Sequence, residues 1–412
     1  MLSQKHIKLI KATAPLFQLK GKQITSRFYQ TMFNDHPELL HIFNQTNQQQ
    51  GKQQTALANT LYAAAKHIDQ LEAILPSVIQ TAHKHRGLGV KPEHYPIVGT
   101  YLLQAMAAEL GDEANGDVLV AWKQTYDIIA DLFMQEEQKI YEAAANQLGG
   151  WDGFRTFVIK RKEKESDTIT SFYLYPGDGK SIASFLPGQY ITVKLMPEGS
   201  HHTQLRQYSL SNAPGSNYYR ISVKREDARK NKPKGFISTY LHEKMSVGDP
   251  ISLSSPAGSF TLERGNAPVM LLSGGVGLTP MLSMLHSMVE DGCKRDIYFI
   301  HAARNGNVHA MDDEVRAIAE AHQHIYYATA YETPTISDLQ HATYDEEGII
   351  TKSWLQQMIP VHQQQNLHVY MCGPIPFMQR MYRDLQEMGI HKQHIRYEYF
   401  GPTGTLKEIS KV

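Results

Sequence analysis

Two changes of periodicity divide these 412 residues, and no single layered core accommodates both. Up to about residue 147, apolar side chains recur every three or four positions (Ile24, Phe28, Met32; Leu57, Leu61, Ala64), the spacing of amphipathic helices. The last helical stretch runs from about Trp122 to Leu148 and stops in Gly149-Gly150-Trp151-Asp152-Gly153. Beyond it TFVIKRKE, ITSFYLY, YITVKLM, YRISVKR and PISLSS alternate between turn residues, as short strands of an antiparallel barrel do. From Ala267 the strands change character. PVMLLS, DIYFIHAA, IYYATA and HVYMC are nearly all apolar and helix-like segments separate several of them, which suits a parallel α/β sheet covered on both faces. The expected fold class is multidomain, α then β then α/β. Its domains are a helical 1–147, a six-stranded antiparallel β-barrel at 148–264 and a parallel α/β domain at 265–412.

Charge narrows the function classes. Lys+Arg and Asp+Glu are both 41, so the chain lacks the basic excess that nucleic-acid binding requires. Two cysteines, Cys293 and Cys372, are too few for a four-thiolate metal or iron–sulfur site. No apolar run approaches the ~18 residues of a membrane span, and MLSQKHIKLI lacks the continuous apolar core of a signal peptide. The expectation is a cytoplasmic monomer with no obligatory protein partner and no nucleic-acid ligand.

The strongest local signal is in PVMLLSGGVGLTPMLSMLHSM, where a strand runs into Gly274-Gly275-Val276-Gly277-Leu278-Thr279-Pro280 and then into an apolar-periodic helix. Glycines let a tight turn expose backbone N–H groups, Pro280 suits a first helical turn, and a helix N-terminus can hold a pyrophosphate. Pro280 occupies the place of a third glycine, so by itself the segment reads equally well as a plain strand–helix turn. Three further segments accompany it: Arg206-Gln207-Tyr208-Ser209, Cys372-Gly373-Pro374, and Glu398-Tyr399-Phe400-Gly401-Pro402. This ordered set resembles the ferredoxin–NADP reductase superfamily. The resemblance implies that Arg206 pairs with FAD pyrophosphate, that Tyr190 and Tyr208 contact the FAD rings, and that Ser209 bonds near the flavin N5 edge with Gln207 beside it. Gly235 and Ser238 would open a helix toward the pyrophosphate. Gly274–Pro280 and Cys372–Pro374 would take NAD(P)H, and Phe400 would cover the flavin with Glu398 beside it. Tyr399 stands where a smaller residue is common in that family. Arg304 reads as a surface charge, with contact to a 2′-phosphate as its alternative.

In the helical part, polar residues interrupt apolar stripes. Tyr29 precedes Phe33 by four, Gln53 precedes Leu57 by four, and Glu137 follows Phe133 by four. A carboxylate on such a stripe needs a partner, and from pattern alone Glu137 reads as an exposed charge at the stripe's edge. Of seven histidines before residue 148, His83 and His85 are two apart and face different ways on a helix, so at most one enters a given pocket. The contexts RFYQTMF, PELLHIFNQTNQ, GKQQTALANTL and KHRGLGVKPEHYPIVG resemble the haem domain of flavohaemoglobins, whose globin–FAD–NAD order matches nearly the whole chain. That resemblance implies a globin fold with haem b ligated by His85, and with Tyr95 and Glu137 behind the ligand. Tyr29 and Gln53 would be distal donors, Leu57 would shape the pocket and Phe43 would wedge the haem. Lys84 would lie on the flavin side. The implied activity is nitric oxide dioxygenase, 2 NO + 2 O2 + NAD(P)H → 2 nitrate + NAD(P)+ + H+, with NO and O2 as small-molecule partners. A lipid in the distal pocket stays open, as do a hydroperoxide, flavin or ferric reductase and an oxygen-binding sensor globin.

Overall fold

The computed structural model describes residues 2–43, 48, 50–70, 74–228, 233–398 and 400–401. The helical region comprises α1 (Gln4–Asp35), a 3-10 turn (Pro37–His41), α2 (Lys52–Lys66), α3 (Leu75–Leu88), α4 (His94–Leu110) and α5 (Gly116–Asn146). Local chemistry sets their ends. The Ser3 and Asn115 side chains accept from the N–H groups of His6 and Val118, capping α1 and α5. Gly89, at φ 78°, closes α3 in the left-handed conformation. The core joins Ile10, Phe17, Ile24, Phe28, Met32, Leu102 and Met106 to Trp122, whose indole N–H donates to Thr13 Oγ1 at 3.1 Å. Deleting one such side chain, as in Leu102→Ala, is expected to cost about 2–5 kcal/mol in unfolding free energy.

Six strands form the second region: β1 (Phe154–Lys164), β2 (Ile169–Pro176), β3 (Tyr190–Leu195), β4 (Gln204–Ser209), β5 (Tyr219–Lys224) and β6 (Pro250–Ser254). Their order is β4-β3-β6-β1-β2-β5, and β1 with β2 and β2 with β5 pair antiparallel. A short helix, α6 (Phe236–Glu243), lies between β5 and β6. The third region has β7 (Val269–Gly274), α7 (Leu278–Glu290), β8 (Ile297–Ala303), α8 (Asp312–Ala321), β9 (Ile325–Tyr331), α9 (Ile336–His341), β10 (Glu346–Glu347), α10 (Lys352–Met358), α11 (Val361–Gln364), β11 (His368–Cys372), α12 (Ile375–Glu387) and β12 (Ile395–Glu398). Its parallel order, β10-β9-β8-β7-β11-β12, reverses between β7 and β11. In open α/β sheets a ligand crevice opens at such a reversal, at the carboxyl ends of the strands.

By compactness the chain groups into two units: residues 1–154 with 192–206, and 155–191 with 207–401. In the first, the Thr203 N–H donates to His41 Nδ1 at 3.0 Å and Thr203 Oγ1 donates to the His41 carbonyl at 3.1 Å. In the second, His301 and His309 are buried and stacked, with ring centroids 4.5 Å apart. Burial pushes the imidazole of His301 well below its ordinary value and that of His309 down to about 3; burial also takes His83 on α3 down to about 4. An unfolded histidine titrates near 6.5, so below that pH the unfolded chain binds more protons than the folded one, and acid weakens the fold. The thermal midpoint is expected to stay level above about pH 6.5 and to fall progressively below it. A midpoint unchanged across that range contradicts the neutral burial of these rings.

Candidate functional site

One charged residue of the helical core has almost no contact with water. Glu137 on α5 is 2% exposed, so it is not the edge charge that the pattern alone suggested. Its burial is possible because donors meet it: the Tyr95 hydroxyl, from the first turn of α4, donates to Oε1 at 2.5 Å, and His85 Nδ1 lies 2.7 Å away. A carboxylate only accepts, so Nδ1 is the donor in this bond and Nε2 is the ring nitrogen not engaged by Glu137. His85 lies in the last turn of α3, just before the Gly89 stop, and Phe133 packs beside its ring at 5.5 Å. The Tyr141 hydroxyl donates to the Val90 carbonyl at 2.8 Å, tying the segment after His85 to α5. Burial, then the bond to Glu137, raises the Tyr95 phenol far above its usual range and keeps it a donor. His83, two residues away, belongs to none of these bonds to Glu137.

Tyr29, Phe43 and Leu57 fall in one apolar cluster with Leu61 and Leu102. The Tyr29 ring lies 5.7 Å from Phe33 and 5.8 Å from Phe43, and burial raises its phenol well above the usual value. Gln53, in the first turn of α2, has a buried Oε1 with no protein partner among the described residues. An unpartnered acceptor costs about 1–3 kcal/mol, so this amide fits a site that holds a ligand. On α3, the Nε2 of His85 is the ring nitrogen not engaged by Glu137, and an imidazole nitrogen held in this way fits a haem iron.

Arg206, Gln207, Tyr208 and Ser209 lie on β4, and Tyr190 opens β3. Arg206 Nη1 donates to the Leu205 carbonyl at 2.7 Å. Gly258, at φ 121°, lies against the buried Tyr190 ring, where a Cβ would come within 3.0 Å. Gly235 caps α6, and Ser238 Oγ accepts from the Glu226 N–H at 3.1 Å, holding the approach to that helix. Gln207 Nε2 and Thr239 Oγ1 are buried without hydrogen-bond partners among the described residues, as fits a polar cofactor such as FAD. At the sheet reversal Ser273, Cys372 and Glu398 stand level across β7, β11 and β12. A Cβ on Gly277 would lie 2.2 Å from the Cys372 carbonyl oxygen, so only glycine lets this turn close on β11. Thr279 Oγ1 donates to the Val276 carbonyl at 3.1 Å, and Leu278 and Pro280 are buried in the first turn of α7. Gly274 and Gly373, the latter followed by Pro374, flank Phe377, leaving a cradle that a Cβ would fill. Cys372 is fully buried; burial, then Glu398, pushes its thiol far up, so it is no nucleophile. Glu398 is 8% exposed, whereas Phe400 is half exposed and Gly401 exposed. Arg304 is exposed. Tyr399, Pro402 and the tail beyond lie outside the described residues.

Three family profiles match consecutive parts of the chain: globin over residues 26–133, oxidoreductase FAD-binding domain over 156–262 and oxidoreductase NAD-binding domain over 271–383. A flavohemoprotein of Halalkalibacterium halodurans is 50% identical over 406 residues, covering 98% of each chain. The chain belongs to the flavohemoprotein family. A second flavohemoprotein, from Bacillus subtilis, is 46% identical over 99% of this chain and all of its own length. Among solved structures, a flavohemoglobin from Malassezia yamatoensis with bound FAD and heme is 28% identical, covers 97% of this chain and 100% of its own, and superposes at a TM-score of 0.84. The FAD/NAD-binding domain of a nitric oxide dioxygenase from Vibrio cholerae matches 60% of this chain and 99% of its own at 37% identity and a TM-score of 0.55. As a flavohemoprotein, the chain is an oxidoreductase with haem, FAD and NAD as its cofactor set, in the order that the resemblance implied. Two contributors to the site escaped the sequence reading. Phe133 was visible as the residue four before Glu137, but its role beside His85 was not; Phe377 carries no motif and emerges only from its packing on two glycines.

Proposed function

We propose that this flavohemoprotein is a nitric oxide dioxygenase, converting NO and O2 to nitrate with electrons from NAD(P)H. The observation that carries the reading is the buried Glu137 accepting from His85 Nδ1 and Tyr95, on a chain that also carries its own flavin and nicotinamide domains. Bound haem b supplies the one-electron and O2-binding chemistry, and FAD divides the nicotinamide's electron pair. His85 would ligate iron through Nε2; Glu137 and Tyr95 fix the ring and raise its basicity. Phe43 and Leu57 would bound the haem pocket. Tyr29, kept protonated by burial, and Gln53 would donate to negative charge that develops at the distal side. Arg206, Gln207, Tyr208, Ser209, Tyr190, Gly235 and Ser238 would bind FAD. The turns at 274–280 and 372–374 would bind the nicotinamide nucleotide, Glu398 and Phe400 would border the hydride path, and Lys84, the neighbour of the ligand His85, would face the flavin. The assigned domains are 1–147, 148–264 and 265–412. Among the described residues no helix is long and apolar enough to cross a membrane, and the nicotinamide substrate is a cytoplasmic metabolite, which is where we place the protein.

An NO electrode tests the reading. NADH-driven NO consumption is expected in air and not under argon; equal consumption in both overturns it. Tyr29→Phe keeps the ring and removes the donor, and about a 10²-fold loss of NO turnover is expected. NADH-dependent ferricyanide reduction should not change, because Tyr29 lies in the globin part.

A further inference from the structure

A hydrogen-bonded triad built on the buried Arg220, with Glu314 and His286 partly exposed, joins the barrel to the nicotinamide domain. Arg220, on β5 and 6% exposed, donates through Nη1 to both carboxylate oxygens of Glu314 on α8, at 3.0 and 3.1 Å. Its other nitrogens donate to Ser211, to Oγ at 3.1 Å and to the carbonyl at 2.5 Å. Ser211 lies two residues beyond Ser209, at the end of the strand assigned to the flavin. On the far side, Glu314 Oε1 lies 2.7 Å from His286 Nε2. His286 sits on α7, the helix whose first turn is the nicotinamide loop, eight residues or about 12 Å from Leu278.

Two more features hold the same geometry. Gly188, beside Tyr190, lies so close to α7 that a Cβ would come within 2.7 Å of Met284 Cε. Met311, immediately before α8, takes φ 58°, a left-handed conformation that a non-glycine residue adopts only under constraint from its surroundings. That strained residue is the N-cap of α8, and Glu314 is the third residue of the helix. Burial alone would raise the Glu314 carboxyl; His286 and Arg220 more than offset it and hold it below the ordinary value.

We propose that Arg220, Glu314 and His286 are positioning residues for hydride transfer, fixing α7 and its nicotinamide loop against the flavin-binding segments of the barrel. Removing one partner of a buried ion pair leaves the other unpaired, whereas replacing both with apolar groups of similar volume often preserves the fold. This distinguishes positioning from bulk stability. The inference rests on the FAD and NAD assignments, not on NO chemistry, and flavin absorbance in stopped flow reads it directly.

In the holoprotein, Glu314→Gln is expected to lower the limiting rate of flavin reduction by NADH at least about ten-fold, with a larger isotope effect from deuterated NADH. NAD+ affinity, FAD content and electron passage from photoreduced flavin to haem should be unchanged. The double variant Arg220→Met/Glu314→Met is expected to regain the thermal midpoint but not the hydride rate. A double variant that regains both overturns the proposal in favour of a structural role. So does a Glu314→Gln protein whose limiting rate stays within about two-fold of the parent. NO turnover absent from the parent while flavin reduction is normal would instead count against the dioxygenase reading and leave this one standing.

Discussion

Replacing His85 with alanine is expected to abolish the Soret band and NO consumption while leaving NADH oxidation by ferricyanide intact. His85 bonds to Glu137 through Nδ1, and that bond leaves Nε2 as the nitrogen for a ligand. In the variant, Glu137 stays buried and loses the His85 donor, keeping Tyr95 at 2.5 Å. Loss of a ligand should exceed the 10–100-fold effect typical of the groups behind it, so NO turnover is expected to fall by more than about 10²-fold. Glu137→Gln is the milder companion, with about a 10–100-fold loss. Imidazole added to the alanine variant is expected to restore part of the Soret absorbance, because the cavity and its acceptor remain. A variant that retains a parental haem spectrum and turnover would move the iron ligand elsewhere.

Gly277→Ala is expected to cripple the opposite end of the electron path. The new Cβ would lie 2.2 Å from the Cys372 carbonyl oxygen and 2.8 Å from the Gly373 nitrogen. Both are backbone atoms, so no rotamer change relieves the contact. Either the 274–280 turn or the 372–374 turn must move by about an ångström, a displacement that can cost about 10²-fold when reacting atoms are misplaced. Flavin reduction by NADH should fall by about that factor, with FAD content and the haem spectrum preserved. Near-parental reduction would mean that the two turns do not jointly seat the nicotinamide nucleotide.

The class and order of layers were readable because burial imposes period on composition. A half-buried helix must repeat near 3.6 and a strand buried on both faces must be apolar throughout; residues 24–64 and 268–273 obey these rules. β4 was not recognised as a strand. Its residues, Gln204-Leu-Arg-Gln-Tyr-Ser209, are mostly polar and show no apolar alternation. β12 (Ile395–Glu398) was too short to show a period. Glu137 illustrates the limit of pattern. Its spacing was visible, but its burial depends on Tyr95 and His85, which come 42 and 52 residues earlier on other helices. Motif resemblance supplied the identity of those partners; geometry supplied the reason a charge can be buried there. The Arg220–Glu314–His286 triad has no motif, since its members are 94 and 28 residues apart and only the packing of the barrel on α7 and α8 brings them together.

The central claim is that this chain joins both atoms of O2 to NO. The measurement is the isotopic composition and yield of nitrate formed from NO, NADH and 18O2 by the purified holoprotein. The account predicts two nitrates for each NADH oxidised, the ratio set by one electron per NO and two per NADH, with two labelled oxygens in every nitrate. Nitrate carrying no label, or consumption of NO that yields a reduced nitrogen oxide in its place, would contradict it.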